Sequence, residues 1–230
     1  SEASIERMRS LGVTHVELMP VHQSLTWGYW NYMPLIWSAP ERKYASATIP
    51  GAAVSQLKQM VKRLHQAGIG VILDVVFNHT AEGNEQGPAV CLKLLDNTCY
   101  FLWGGKQYLN RTGCGNTVNC AHPAIVRLIV ETMLRYVHLY HIDGFRFDLA
   151  GDVFSTLHGY NLYHPLLTAI MANPVLRQCK LIADPWSAGG GGACYASLPE
   201  PWLVWSDLYK RAVRLQWRGD PGVFSTFTRC

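Results

Sequence analysis

Charged residues are scarce in this 230-residue chain, at 16% against 49% hydrophobic residues. That balance excludes an intrinsically disordered chain and fits one with a large buried core. No basic block is present: Lys58, Lys62, Arg63, Arg135, Lys210, Arg211 and Arg214 are dispersed, and the net charge is only +4. A nucleic-acid-binding surface is therefore not expected. No apolar run is long enough to span a membrane, and no CxxC pair occurs. The seven cysteines, odd in number and irregularly spaced, favour free thiols in a reducing compartment over a disulfide framework. Cys114, Cys120 and His122 lack a second ligand pair at zinc spacing, so a tight Gly/Asn loop is expected there. The run Gly189 to Gly192 is not followed by Lys-Ser/Thr, which excludes a phosphate loop. Neither an internal repeat nor a signal or transit segment is visible.

What is present alternates strand and helix. Thr14 to Pro20 reads as a buried strand after a helix that ends near Gly12. Residues 53–67 carry apolar side chains at 54, 57, 60, 61 and 64, which is helical spacing, with Gly68 as a stop. Ile69 to Phe77 is a continuous apolar run, as in a strand buried on both faces. Pro123 opens a long helix over 123–140. Strand-like segments at 141–149 and 180–185 follow, separated by a helical stretch around 162–171. This order predicts a parallel α/β sheet, open or closed into a barrel. Two long segments break the rhythm: 21–52, rich in aromatics including Trp27, Tyr29, Trp30, Tyr32 and Trp37, and 80–120, rich in Gly, Asn and Cys. Both follow strand ends and are expected to be loops over the functional face.

Two of these strands end in an acid, Asp148 and Asp184, at the carboxyl edge where parallel sheets place their chemistry. A pair of facing carboxyls is what glycosidic bond cleavage requires. Arg146 shares a strand face with Asp148 by the period of two; taken alone, it reads as a salt-bridge partner for Asp74. His138 and His141 straddle a helix end and are read as packing residues.

The segments Asp74-Val-Val-Phe-Asn-His79, Gly144-Phe-Arg-Phe-Asp148 and Ala183-Asp-Pro-Trp186 occur in order. They resemble the first three conserved blocks of the α-amylase family of glycoside hydrolases. Leu11-Gly-Val-Thr-His-Val-Glu-Leu-Met-Pro-Val21, Thr80-Ala-Glu-Gly83, Gly113-Cys-Gly-Asn-Thr117, Asn119-Cys-Ala-His-Pro123 and Gly219-Asp-Pro-Gly222 resemble the isoamylase branch, which debranches starch or glycogen at α-1,6 linkages. The resemblance implies a (β/α)8 TIM-barrel catalytic domain, of which the chain holds about the second to fifth strands, and no second domain. It implies Asp148 as nucleophile, Asp184 at the general-acid position, Arg146 orienting the nucleophile, His79 and Tyr32 contacting the sugar, and Asp74 and Asn78 as framework. No cofactor is expected and no metal site is assigned. The implied partner is a branched α-glucan, amylopectin or glycogen, without nucleic acid or membrane. The implied location is the plastid stroma in a plant or alga and the cytoplasm otherwise.

Three departures stand out. Asp184 occupies a glutamate position, which withdraws the carboxyl by about a bond length, and a misplacement of about 1 Å can cost about 100-fold. Asn31 and Met33 replace the glycine and asparagine that flank the stacking tyrosine. The family's fourth block is absent before Cys230, so a fragment of a longer barrel is expected, unstable or inactive in isolation. Two functions stay open: a debranching hydrolase, or a non-catalytic glucan-binding subunit resembling the second isoamylase class of plants and green algae, which pairs with an active isoamylase. Amylase-like heavy chains of amino-acid transporters would need a membrane span.

Overall fold

The alternation of apolar strands with amphipathic helices folds as one parallel sheet. A computed structural model describes residues 1–25, 30–103, 107–186 and 198–219. Its five central strands are β1 (His15–Leu18), β2 (Gly70–Val75), β3 (Gly144–Phe147), β4 (Lys180–Ala183) and β5 (Leu203–Val204), in spatial order β1-β2-β3-β4-β5. Every neighbouring pair is parallel. The longer helices among the described residues are α1 (Glu2–Ser10), α2 (Ala52–Gln66), α3 (Pro123–Tyr140), α4 (Pro165–Ala172) and α5 (Asp207–Arg218). The expected α/β fold is the one observed, with one strand more than expected. β5 is only two residues long, between Pro201 and a helix cap, and such a segment has no apolar run to announce it.

Strand alternation divides the sheet into two faces. Val71, Leu73 and Val75 of β2, Phe145 and Phe147 of β3, and Leu181 and Ala183 of β4 pack into the core with the helices. From α2 come Leu57, Val61 and Leu64; from α3, Ile125, Ile129, Met133 and Tyr136; from α4, Leu166, Leu167 and Ile170. Each such side chain contributes about 1.5–3 kcal/mol when fully buried. Met60, one of the apolar positions at helical spacing in α2, is exposed.

The other face carries the charges. The register sets Glu17 beside Ile72, Asp74 beside Arg146, and Arg146 beside Ile182. Gly144 allows the tight β3–β4 approach here, because a Cβ would sit 2.5 Å from Lys180 O.

Local signals set the helix ends. His122 caps α3 by accepting from Ala124 N, Pro123 takes the first turn, and His141 ends the helix in the left-handed conformation at φ 57°. His138 and His141 thus flank a helix terminus, as expected. Among the described residues, Cys91, Cys99, Cys114, Cys120 and Cys179 are free thiols, and no helix is long and apolar enough to cross a membrane. Trp27, Tyr29, Cys194, Cys230, the Gly189 to Gly192 run and the Asp220 to Gly222 part of the last motif lie outside the described residues.

Among the described residues, the two outer strands, β1 and β5, have a sheet neighbour on one side only. Open parallel edges invite pairing with other chains. The 230 residues expressed alone are therefore expected to self-associate in light scattering and to melt without a sharp transition. A monodisperse monomer with a cooperative melt would contradict this.

Candidate active site

Asp148 and Asp184 each stand one position past a strand, and the ladder runs on to hold them. Asp148 N donates to Val75 O at 3.1 Å, and Asp184 N to Phe147 O at 3.0 Å. Leu149 then turns the chain with φ 46°, a conformation that a bulky residue rarely adopts. Ala150 N closes the turn on Asp184 O at 2.8 Å, tying the two strand ends together.

One guanidinium gathers three carboxylates. Arg146 Nη1 donates to Asp74 Oδ1 (2.8 Å), Asp74 Oδ2 (3.0 Å) and Asp148 Oδ1 (2.9 Å), and Nη2 donates to Asp184 Oδ2 (2.5 Å). The Arg146 and Asp74 side chains are 6% and 3% exposed, against 15% and 19% for Asp148 and Asp184. The first pair is therefore the floor of the site, and the two strand-end carboxyls are its accessible members. Burial opposes the charge on Arg146, but the three carboxylates outweigh it and hold the guanidinium ionised. Burial pushes Asp184 above its ordinary 3.8; Arg146 pulls it back and Asp148 pushes it further up. Burial likewise pushes Asp74 up, against Arg146 and the Tyr32 hydroxyl.

Three more side chains join the same network. Tyr32 donates its hydroxyl to Asp74 Oδ2, and burial plus that bond keep it a phenol. Asn78 Nδ2 donates to Asp148 O (3.0 Å) and to Asp148 Oδ2 (2.9 Å). The His79 ring lies between Asn78 Oδ1 at 2.5 Å and Tyr32 O at 2.8 Å, and its burial favours the neutral form. All seven residues singled out in the sequence (Tyr32, Asp74, Asn78, His79, Arg146, Asp148 and Asp184) thus form one connected cluster. Arg146 does not choose between Asp74 and Asp148; it binds both.

The departure at Asn31 has a local explanation. Asn31 adopts φ 66°, where asparagine is among the residues best tolerated after glycine. Its side chain is buried, donating to Pro20 O (3.0 Å) and His22 O (2.5 Å). The residue keeps the backbone form that a glycine would take and turns its amide into the loop.

The loop after β2 is built on Glu82, whose place in a motif gave no hint of its role. Its carboxylate accepts from Val90 N (2.7 Å), Cys91 N (2.7 Å), Lys93 N (3.0 Å) and the Tyr100 hydroxyl. Asn116, from the Gly113 to Thr117 motif, ties the neighbouring loop to Thr80 and Gly83 through both ends of its amide. Burial alone would raise the Glu82 pKa, but these donors hold it down at about 2. The folded value lies below the ordinary 4.5, so the stabilisation is complete above that pH and is lost as pH falls towards about 2. Glu82→Gln is expected to cost about 2 kcal/mol at neutral pH and to flatten the acid limb of stability. Urea melts of both proteins at several pH values between neutral and the acid limit check this; parallel curves would refute it.

Trp205 and Glu17 are the residues of this face that the sequence reading passed over. The Trp205 ring centroid lies 4.5 Å from Arg146 Cζ, and the ring borders a cavity of about 610 Å³ with Asp184, Pro185, Ser206 and Tyr209. Burial pushes Glu17 above its ordinary range, with Arg146 pulling down and Asp184 pushing up. A lone acid inside an apolar strand was the available signal for Glu17. For Trp205 there was none, because its strand went unseen.

No family model matches the chain. It is 41% identical over 235 residues to a "Glycogen operon protein GlgX homolog" of Mycobacterium tuberculosis, covering 97% of this chain and 33% of the relative. It is 43% identical to a "Glycogen debranching enzyme" of Erwinia tasmaniensis, covering 94% of this chain and 34% of the relative. Among solved structures, a mutant pullulanase from Paenibacillus barengoltzii complexed with maltotetraose superposes with a TM-score of 0.76 at 25% identity, covering 91% of this chain and 34% of that one. The chain spans about a third of the length of the curated relatives it matches.

Proposed function

We infer, from a chain that belongs to the α-amylase family of glycoside hydrolases, that it carries most of the catalytic face of an enzyme cleaving α-1,6 branch points in glycogen or starch with retention of configuration. The observation that carries this reading is the single guanidinium, Arg146, joined to Asp148 and Asp184 on adjacent strand ends. Retaining glycosidases place two carboxyls close together, one to attack and one to move the proton.

In this reading an oxygen of Asp148 attacks the anomeric carbon while Asp184 gives its proton to the departing glycosidic oxygen. The C–O bond to the branch breaks, and a covalent glycosyl ester forms on Asp148. Asp184, now ionised, takes a proton from water as that water attacks the same carbon and releases Asp148. Arg146 keeps Asp148 anionic and aimed, a task that suits its planar fork. Asn78 fixes the second oxygen of Asp148. His79 and Tyr32 are assigned to the hydroxyls and face of the sugar being cleaved, over the Asp74–Arg146 floor. The expected substrate is a branched α-glucan; the relatives named as glycogen debranching enzymes and the maltotetraose-bound pullulanase support that class.

A second reading has its own observation. The Asp184 carboxyl is one methylene shorter than the family's glutamate and is bound to Arg146 at 2.5 Å, which favours a subunit that holds glucan and leaves cleavage to an active isoamylase partner. Reducing ends released from amylopectin by the natural protein carrying this chain decide between them. Turnover supports the hydrolase; glucan binding without turnover supports the subunit.

A further inference from the structure

We propose that Trp205 is a positioning residue that clamps Arg146 flat beneath the two strand-end carboxyls, an inference that rests on the hydrolytic reading of Asp148 and Asp184. The hydrogen bonds of Arg146 all leave from Nη1 and Nη2, and Nε has no hydrogen-bond partner among the described residues. A planar fork held along one edge is fixed in its plane but free to tilt out of it. Tilting would swing Nη1 away from Asp148 and Nη2 away from Asp184 together. The Trp205 ring, 4.5 Å from Arg146 Cζ, blocks that tilt and keeps water off one face of the cation. Indole is the strongest aromatic partner for a cation, and the attraction grows when the pair is dry.

The ring is itself held to the site. Trp205 N donates to Ala183 O at 3.0 Å, so β5 carries the clamp in register with the residue next to Asp184. Its 46% exposure and the neighbouring cavity of about 610 Å³ define the rival role for the same side chain, a platform for a sugar ring. The two roles separate kinetically: a clamp acts on turnover, whereas a platform acts on substrate affinity.

The test compares Trp205→Leu and Trp205→Phe in the natural protein, with branched glucan as substrate. A clamp predicts a fall in kcat of about 10- to 30-fold for Leu, little change in KM, and recovery of most of the loss with Phe. A KM raised tenfold at unchanged kcat, or no change at all, overturns the proposal. A second measurement needs no turnover and so separates this proposal from the hydrolytic reading. In protein labelled with 5-fluorotryptophan, the Trp205 resonance, assigned by its loss in Trp205→Phe, is expected to shift in Arg146→Lys. A resonance that stays in place overturns the clamp even if the enzyme is active. A shift in a protein without turnover keeps the clamp and sinks the hydrolase.

Discussion

Asp148→Asn is expected to lower release of reducing ends from branched glucan by on the order of 10⁴-fold or more in the natural protein, the scale seen when a covalent nucleophile is removed. The amide is nearly the same size, so the loss would report chemistry more than packing. An amide oxygen does not form the glycosyl ester, and one of its two ends now presents N–H groups. Those groups would face either Arg146 Nη1 or Asn78 Nδ2, both of which donate to Asp148 in the native site. The substitution thus removes the proposed nucleophile and one hydrogen bond at once, while Arg146 keeps Asp74 and Asp184. Glucan affinity should change little, because the sugar contacts assigned to Tyr32 and His79 are untouched. Product analysis with wild-type and variant protein under single-turnover conditions checks both halves. If Asp148→Asn cleaves within tenfold of the wild-type rate, Asp148 is not the nucleophile, and the reading of the whole cluster fails.

How much of this was readable without coordinates depends on the range of each interaction. Asp148 and Arg146 were legible as a pair because the period of two in a strand places them on one face, and their parallel neighbours are long apolar runs. The span of α3 was legible from Pro123 and the apolar stripe that follows it. What escaped was set by contacts distant in sequence. Nothing in Asp74 or Asp184 alone says that a single guanidinium takes both. The role of Glu82 depends on amides eight to eleven residues away that turn back onto it. β5 is two residues long, too short for periodicity, and it carried Trp205 out of sight. Asn31 is a further case: its identity says nothing of where the amide goes, and the left-handed backbone turns it onto the Pro20 and His22 carbonyls. A substitution is only as obstructive as the direction of its side chain, and direction is a tertiary property.

Restoring the family's acid, Asp184→Glu, is expected to raise kcat by on the order of 100-fold, since about 1 Å of misplacement at a reacting centre costs about that much. The backbone at this position is already fixed, with Asp184 N on Phe147 O at 3.0 Å and Asp184 O accepting from Ala150 N at 2.8 Å. An added methylene therefore moves the carboxyl outward and leaves the strand in place. In the native protein the short carboxyl rests on Arg146 Nη2 at 2.5 Å, a contact that favours its ionised form when a proton donor must hold its proton. Burial and Asp148 push the other way, and together they leave Asp184 above its ordinary range. A glutamate reaching past Arg146 would lose part of the opposing pull, so its proton should be held to higher pH. The basic limb of the kcat/KM profile, which reports the free enzyme's acid, should then move upward in Asp184→Glu while the acidic limb stays. Initial rates across pH for wild type, Asp184→Glu and Asp184→Asn test this directly. Equal rates for the aspartate and glutamate forms would mean that the short acid already reaches the leaving oxygen. If all three forms are silent and glucan still binds, the carboxyl at 184 serves the Arg146 cluster rather than a proton transfer, and the chain belongs to a glucan-holding subunit.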